Sequence, residues 1–160
     1  MVNYNKSCAV AQKPKYGIVR VSMVQVRAPY DAREIAVLRP DGSMAFDPYN
    51  KFPAIPSQII RGAAIDALAS SGLFASAVSA SSSVSSDVSA EVSVLKFALD
   101  CRNEGSRKAI AAVAVRIVDR DRRSAAIAEG VGEADASSGE YSSAFSSAFT
   151  SAMADALGAL

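Results

Sequence analysis

Hydrophobic positions recur along this chain with two different periods. Between Ser137 and Leu160, the residues Tyr141, Ala144, Phe145, Ala148, Phe149, Ala152, Met153, Ala156, Leu157 and Leu160 return at steps of three and four, which places them on one side of a helix. The other side carries Ser142, Ser143, Ser146, Ser147, Thr150, Ser151 and Asp155 and no basic residue, unlike a cationic membrane-surface helix. Ser137 followed by Glu140 fits a capping box at its start. A second helix is predicted from Ser57 to Ser71, with Ile59, Ile60, Ala63, Ala64, Ala67 and Leu68 on one face and Gly72 as the stop.

Elsewhere the period is that of a strand. From Tyr16 to Ala28 the apolar residues alternate on one parity (Val19, Val21, Met23) and then on the other (Val24, Val26), which predicts a bulge near Met23. Ile35 to Arg39 and Met44 to Phe46 flank the turn signal Pro40-Asp41-Gly42-Ser43 and read as a small hairpin. Asp47 to Pro56 contains three prolines and reads as a connection too broken for a central strand. Its aromatic residues Tyr49 and Phe52 either fold back on the core or face a partner. Ser76 to Ser86 is serine-rich, and its interleaved valines favour a strand followed by a loop over a flexible linker. Val88, Ala90, Val92 and Val94 alternate before Leu95, Phe97 and Leu99 take over on the other parity, a second change of facing. Ala109 to Ile117 is the next strand. The last runs from about Ser124 to Ala134, where Ala126, Ala128, Gly130, Gly132 and Ala134 are small enough to let a helix approach closely.

The predicted class is therefore α+β, an antiparallel sheet with two helices packed on one face, in hairpin–helix–strands–helix order. Residues 1–15 are polar and aperiodic and read as a flexible lead-in, while 16–160 make one domain.

Composition narrows the chemistry. Half of the 160 residues are hydrophobic and the net charge is +1, so the chain carries no electrostatic signature for nucleic acid. It has no apolar run of transmembrane length and no signal peptide. Histidine is absent, which removes the commonest general base and zinc ligand, and no metal or cofactor is expected. No serine sits in a nucleophile elbow and no glycine-rich loop is placed for phosphate. The pairs Asp31/Glu34 and Glu129/Glu133 read as solvated charges, and Arg116, Arg120, Arg122 and Arg123 as a charged hairpin tip. The two cysteines, Cys8 and Cys101, are either free thiols or one disulfide, and export would favour the bridge.

Taken together, the stretch Val24 to Arg39, the segment Phe46-Asp47-Pro48-Tyr49, the helix end Ser71-Gly72-Leu73-Phe74 and the Ala-rich C-terminal helix resemble the ABC-type transport auxiliary lipoproteins. Tyr30, Arg33 and Arg39 match that family's tyrosine-and-arginine segment, and Tyr49 stands where it has an aromatic residue, usually Trp. Glu34 and Ile35 depart from its proline and glutamine. The resemblance implies a non-enzymatic, periplasmic, lipid-anchored accessory subunit. It would dock to a mammalian-cell-entry-type subunit, with its permease and ATPase, and help move lipid or other hydrophobic cargo between membranes. An anchor would precede Val2, since Cys8 lacks the residues expected before an acylated cysteine. Tyr30, Arg33, Arg39, Tyr49 and Phe52 are the implied partner contacts, and a homo-oligomer is compatible with the family. Two other classes remain: an outer-membrane assembly lipoprotein partnering a β-barrel, and an enzyme, which would need a deep pocket with two convergent carboxylates.

The helical stripe generates the first prediction. Phe145→Ala should cost about 3–5 kcal/mol in a urea titration, as a large-to-small core change does; a loss under about 1 kcal/mol would mean that the stripe is not core.

Overall fold

The computed structural model describes residues 14–103, 105–121 and 125–160. In chain order the elements are β1 (Tyr16–Val26), β2 (Glu34–Leu38), β3 (Met44–Lys51), α1 (Pro56–Ser70), β4 (Phe74–Ser79), β5 (Val88–Asp100), β6 (Lys108–Asp119), β7 (Ala125–Asp135) and α2 (Tyr141–Gly158). Residues 1–13, and with them Cys8 and most of the expected lead-in, lie outside the described residues, as do Arg122 and Arg123.

The class is α+β, but the seven-stranded sheet is mixed, not wholly antiparallel as expected. β5 is its spine. Along one edge of β5 runs the antiparallel meander β5–β6–β7. Along the other edge β1 lies parallel beside its first half, and β2 lies parallel beside its end. β4 is parallel to β1 on the far side, and β3 closes the hairpin with β2. Alternation within a strand reports which face is buried but not the direction of its neighbour; here a helical crossover through α1 returns β4 parallel to β1.

Both changes of facing are register shifts, one between Val21 and Met23 and one between Val94 and Lys96. Each bulge keeps the apolar side chains on the helix face after an extra residue has reversed the alternation. β3 continues through Pro48 to Lys51, a correction to the expected connection from Asp47 onward. It is an edge strand, where a residue without an N–H leaves no ladder bond missing.

Both helices cover the same face and share one core with β1, β5, β6 and β7. α2 buries Ala144, Phe145, Ala148, Phe149, Ala152, Met153, Ala156 and Leu157, the stripe read from the sequence. It lies so close to β7 that a Cβ added at Gly130 would meet the Ala152 carbonyl oxygen, and one at Gly132 that of Ala148. The rings of Phe52, Phe97 and Phe145 meet with centroids 4.7–5.6 Å apart, tying β5, α2 and the segment after β3 together. A smaller cluster, Ala36, Ala98 and Ile110, forms the second hydrophobic cluster, with Tyr30 and Leu38 against it.

The helix starts are not built as expected. Ser137 makes no capping box: its Oγ donates to Asp135 at 2.6 Å, and α2 begins only at Tyr141, after Glu140, whose side chain caps nothing. The turn of Asp135 has captured the hydroxyl before the helix could use it. α1 starts at Pro56, and its cap comes from a distant loop: Asp31 accepts the backbone N–H and the hydroxyl of Ser57, both at 2.9 Å. Asp31 is thus a helix cap. The serine-rich segment after β4 is organised by Arg20, whose guanidinium donates to the carbonyls of Ser79, Ala80, Ser82 and Val84.

Because the atoms facing Gly132 belong to helix backbone, α2 can yield only as a body. Gly132→Val should therefore cost about 1–3 kcal/mol by overpacking. A change within about 0.5 kcal/mol in a denaturant titration would show that the helix rides farther from β7.

Candidate functional site

The parallel pairing of β2 with β5 determines which side chains meet at one end of the sheet. Leu38 and Lys108 both lie opposite Asp100, one on each side of β5. Arg39, one residue beyond, and Arg107, one residue before, therefore flank Cys101. Two strand spacings put their backbones roughly 10 Å apart. Leu99 and Ala109, in the same register, are buried under the helices. Two positions further on, Cys101 and the two arginines keep that facing, just past the start of α2.

A cleft of about 390 Å³ opens there. Val37, Ala45 and Leu99 give it apolar walls, Phe46, Pro48 and Tyr49 come from β3, and Tyr141 comes from the first turn of α2. Arg107 donates from Nη1 to the Tyr141 hydroxyl at 3.0 Å, which fixes one guanidinium at the rim. Neither Arg39 nor Arg107 is in an ion pair among the described residues. The one carboxylate in the lining, Asp47, is engaged by its own turn. It accepts the N–H of Tyr49 at 2.8 Å, the N–H of Asn50 at 3.1 Å and Nδ2 of Asn50 at 3.0 Å. Partial burial pushes this carboxyl up, but the bonds from Tyr49 and Asn50, with Arg107 nearby, outweigh it and hold the group below its ordinary value. Burial pushes the Cys101 thiol up, Arg107 opposes this, and Asp100 and Asp47 add to it, so the floor between the arginines is a neutral thiol.

The residues named by the resemblance separate into three places. Arg39 and Tyr49 both line the cleft, and Tyr49 is 91% exposed. Arg33 is a strut: its Nε donates to the Phe52 carbonyl at 3.0 Å, and its own carbonyl accepts the Phe52 N–H at 2.7 Å. Phe52 is 6% exposed and belongs to the core, so it offers no surface to a partner, a correction to its place among the contacts. Tyr30 is half-buried against both hydrophobic clusters. Sequence reasoning did not single out Arg107 or the rim position of Tyr141. Only the parallel β2–β5 pairing brings Arg39 and Arg107 together, and no local pattern announces it.

Elsewhere, Asp87, Glu91 and Asp119 line an open groove with Arg116 and Arg120. Asp87 accepts the Ile18 N–H at 2.8 Å, Glu91 lies 3.8 Å from Arg116, and Asp119 is not free either, so these carboxylates are already engaged. Glu133 pairs with Lys108 at 3.6 Å. Glu129 is four residues away on the same strand, about 13 Å along it. Among the described residues no group of three or more potential ligands could hold a metal ion, and no helix is long and apolar enough to cross a membrane.

No family model and no curated protein matches the sequence. Among solved structures, a Xanthomonas campestris protein described under family-model DUF330 is 15% identical, with a TM-score of 0.67 over 91% of this chain and 83% of that one. A structure described as an uncharacterized protein is also 15% identical, with a TM-score of 0.64 over 91% and 90% of the two chains. The PelC dodecamer from Paraburkholderia phytofirmans is 14% identical, with a TM-score of 0.53 over 92% and 89%. At such identities the likeness is one of fold.

The turn around Asp47 yields a pH-dependent prediction. A carboxyl held below its ordinary value of 3.8 stabilises the fold above that value and loses its effect as the pH falls through the folded value. Asp47→Ala should thus cost at most about 1 kcal/mol at neutral pH, the exposed site being screened by solvent, and progressively less in urea titrations as the pH falls below 3.8. A deficit that is constant across that range would mean that the charge of Asp47 plays no part.

Proposed function

We propose that this chain is a non-enzymatic accessory subunit of an ABC-type transport system of the cell envelope. It works at the periplasmic side, held by a lipid anchor, and docks to a mammalian-cell-entry-type subunit that moves lipid or another hydrophobic cargo between membranes. The observation that carries the reading is that Tyr49 and Arg39 line one cleft. An aromatic side chain that is 91% exposed stands on an edge strand, in one cleft with a guanidinium free of ion pairs among the described residues. A rigid aromatic beside an arginine is the composition of an interface anchor. The segments that carry the family resemblance support it further, because they fall on β1 to β3, the end of α1 and α2 of a fold shared with the DUF330 protein. Self-association belongs to the same reading: the PelC structure with this fold is a dodecamer.

The test is retention of the cognate mammalian-cell-entry-type subunit by the full chain, co-expressed with its permease and ATPase. Arg39→Ala combined with Tyr49→Ala should weaken retention about tenfold or more, as the loss of two central anchors does. Unchanged retention would reject this surface. Recovery of an outer-membrane β-barrel in place of the transporter subunit would reject the assignment itself.

A further inference from the structure

The cleft between Arg39 and Arg107 is more than a place where an aromatic side chain protrudes. Its lining divides into two chemistries. At the sheet end, Arg39 and Arg107 line the cleft from the strands on either side of Cys101, and Arg107 is held in place by the Tyr141 hydroxyl. Toward β3 the lining turns apolar, with Val37 and Leu99 at the base and Ala45, the strand partner of Val37, beside them. A surface with only a charge-binding role has no need of that apolar half, and a hydrophobic docking patch has no need of two arginines facing each other across the sheet end.

We propose that this cleft binds the anionic headgroup of an amphiphile, a phosphate or carboxylate carried on an aliphatic body. The two guanidiniums clamp the anion, and Val37, Ala45 and Leu99 take the first methylenes. Charge balance favours a single negative group, because two arginines face one carboxylate and the oxygens of Asp47 are already occupied by Tyr49 and Asn50. Arg suits such an anion because its planar fork presents two parallel N–H bonds to adjacent oxygens. The neutral thiol of Cys101 between them adds no competing charge. The proposal rests on the envelope reading only for where such a ligand would be met; the chemistry is that of the cleft and needs no transporter partner.

The experiment is calorimetric titration of the full chain with three probes: inorganic phosphate, and dodecyl phosphate and dodecyl maltoside below their micellar concentrations. Dodecyl phosphate should bind saturably at one site, and each of the other two, having only half of the recognised chemistry, about tenfold or more weaker. Arg39→Gln with Arg107→Gln should weaken dodecyl phosphate by about tenfold or more, whereas Arg61→Gln, an exposed arginine on α1, should leave it unchanged. Circular dichroism confirms that the variants are folded. Should the double variant not fold, Tyr141→Phe, which releases Arg107 with the loss of one oxygen, decides in its place by a drop of about threefold or more. Absence of saturable binding, an affinity for inorganic phosphate equal to that for dodecyl phosphate, or an equal loss in Arg61→Gln would each overturn the proposal. Dodecyl phosphate binding without transporter docking would leave the cleft assignment standing and remove only the partner.

Discussion

The approach of α2 to β7 is the constraint on which the molecule depends. At Gly130 and Gly132 the helix backbone occupies the volume where side chains would otherwise stand. Ala148, Ala152 and Ala156 match them from the helix side, all fully buried. Small residues on both surfaces bring two backbones together, and the bulk needed to fill the core moves to the flanks, to Phe145, Phe149, Met153 and Leu157. That close seat also places the first turn of α2 against the sheet end, where the Tyr141 hydroxyl can hold Arg107. The Tyr141 side of the site is thus positioned by glycines on the neighbouring strand β7, and Arg39, Cys101 and Arg107 each stand directly at a strand end.

A second support is the aromatic group of Phe52, Phe97 and Phe145. Phe52 is the first residue after β3, and Arg33 holds its backbone from both sides. With that end anchored in the core, the preceding residues Asp47 to Asn50 bulge out between the Ala36–Phe46 and Glu34–Lys51 pairs, and the turn around Asp47 leaves Tyr49 exposed. Buried and exposed aromatics three residues apart thus serve one arrangement: one fixes the strand, and the other is displayed by it.

Much of this was legible in the residues. The helical stripe, both bulges and the small face of the last strand follow from local periodicity, because each is a relation between neighbours in the chain. What escaped is non-local. The direction of β1 and β2 against β5 depends on crossovers, and the helix caps went to partners that no short motif predicts: Asp31 for α1, and Asp135 capturing Ser137 before α2. Pro48 read as the end of a strand because it ends most strands; only an edge position removes the penalty. The candidate site shows the same division. Arg39 and Tyr49 could be singled out from their own segment, whereas Arg107 entered only through the register on both sides of β5.

The placement of β1 has a consequence for how the chain reaches this state. Both of its hydrogen-bonded neighbours, β4 and β5, are made after it. On a nascent chain, then, the first strand must wait without a ladder until β4, ending at Ser79 of the 160 residues, has been made. The succession from β5 to α2, by contrast, zips between consecutive segments, and its contacts close short loops. Pairings between distant segments close longer loops, so the insertion of β1 beside β5 costs more chain entropy than the growth of the C-terminal meander.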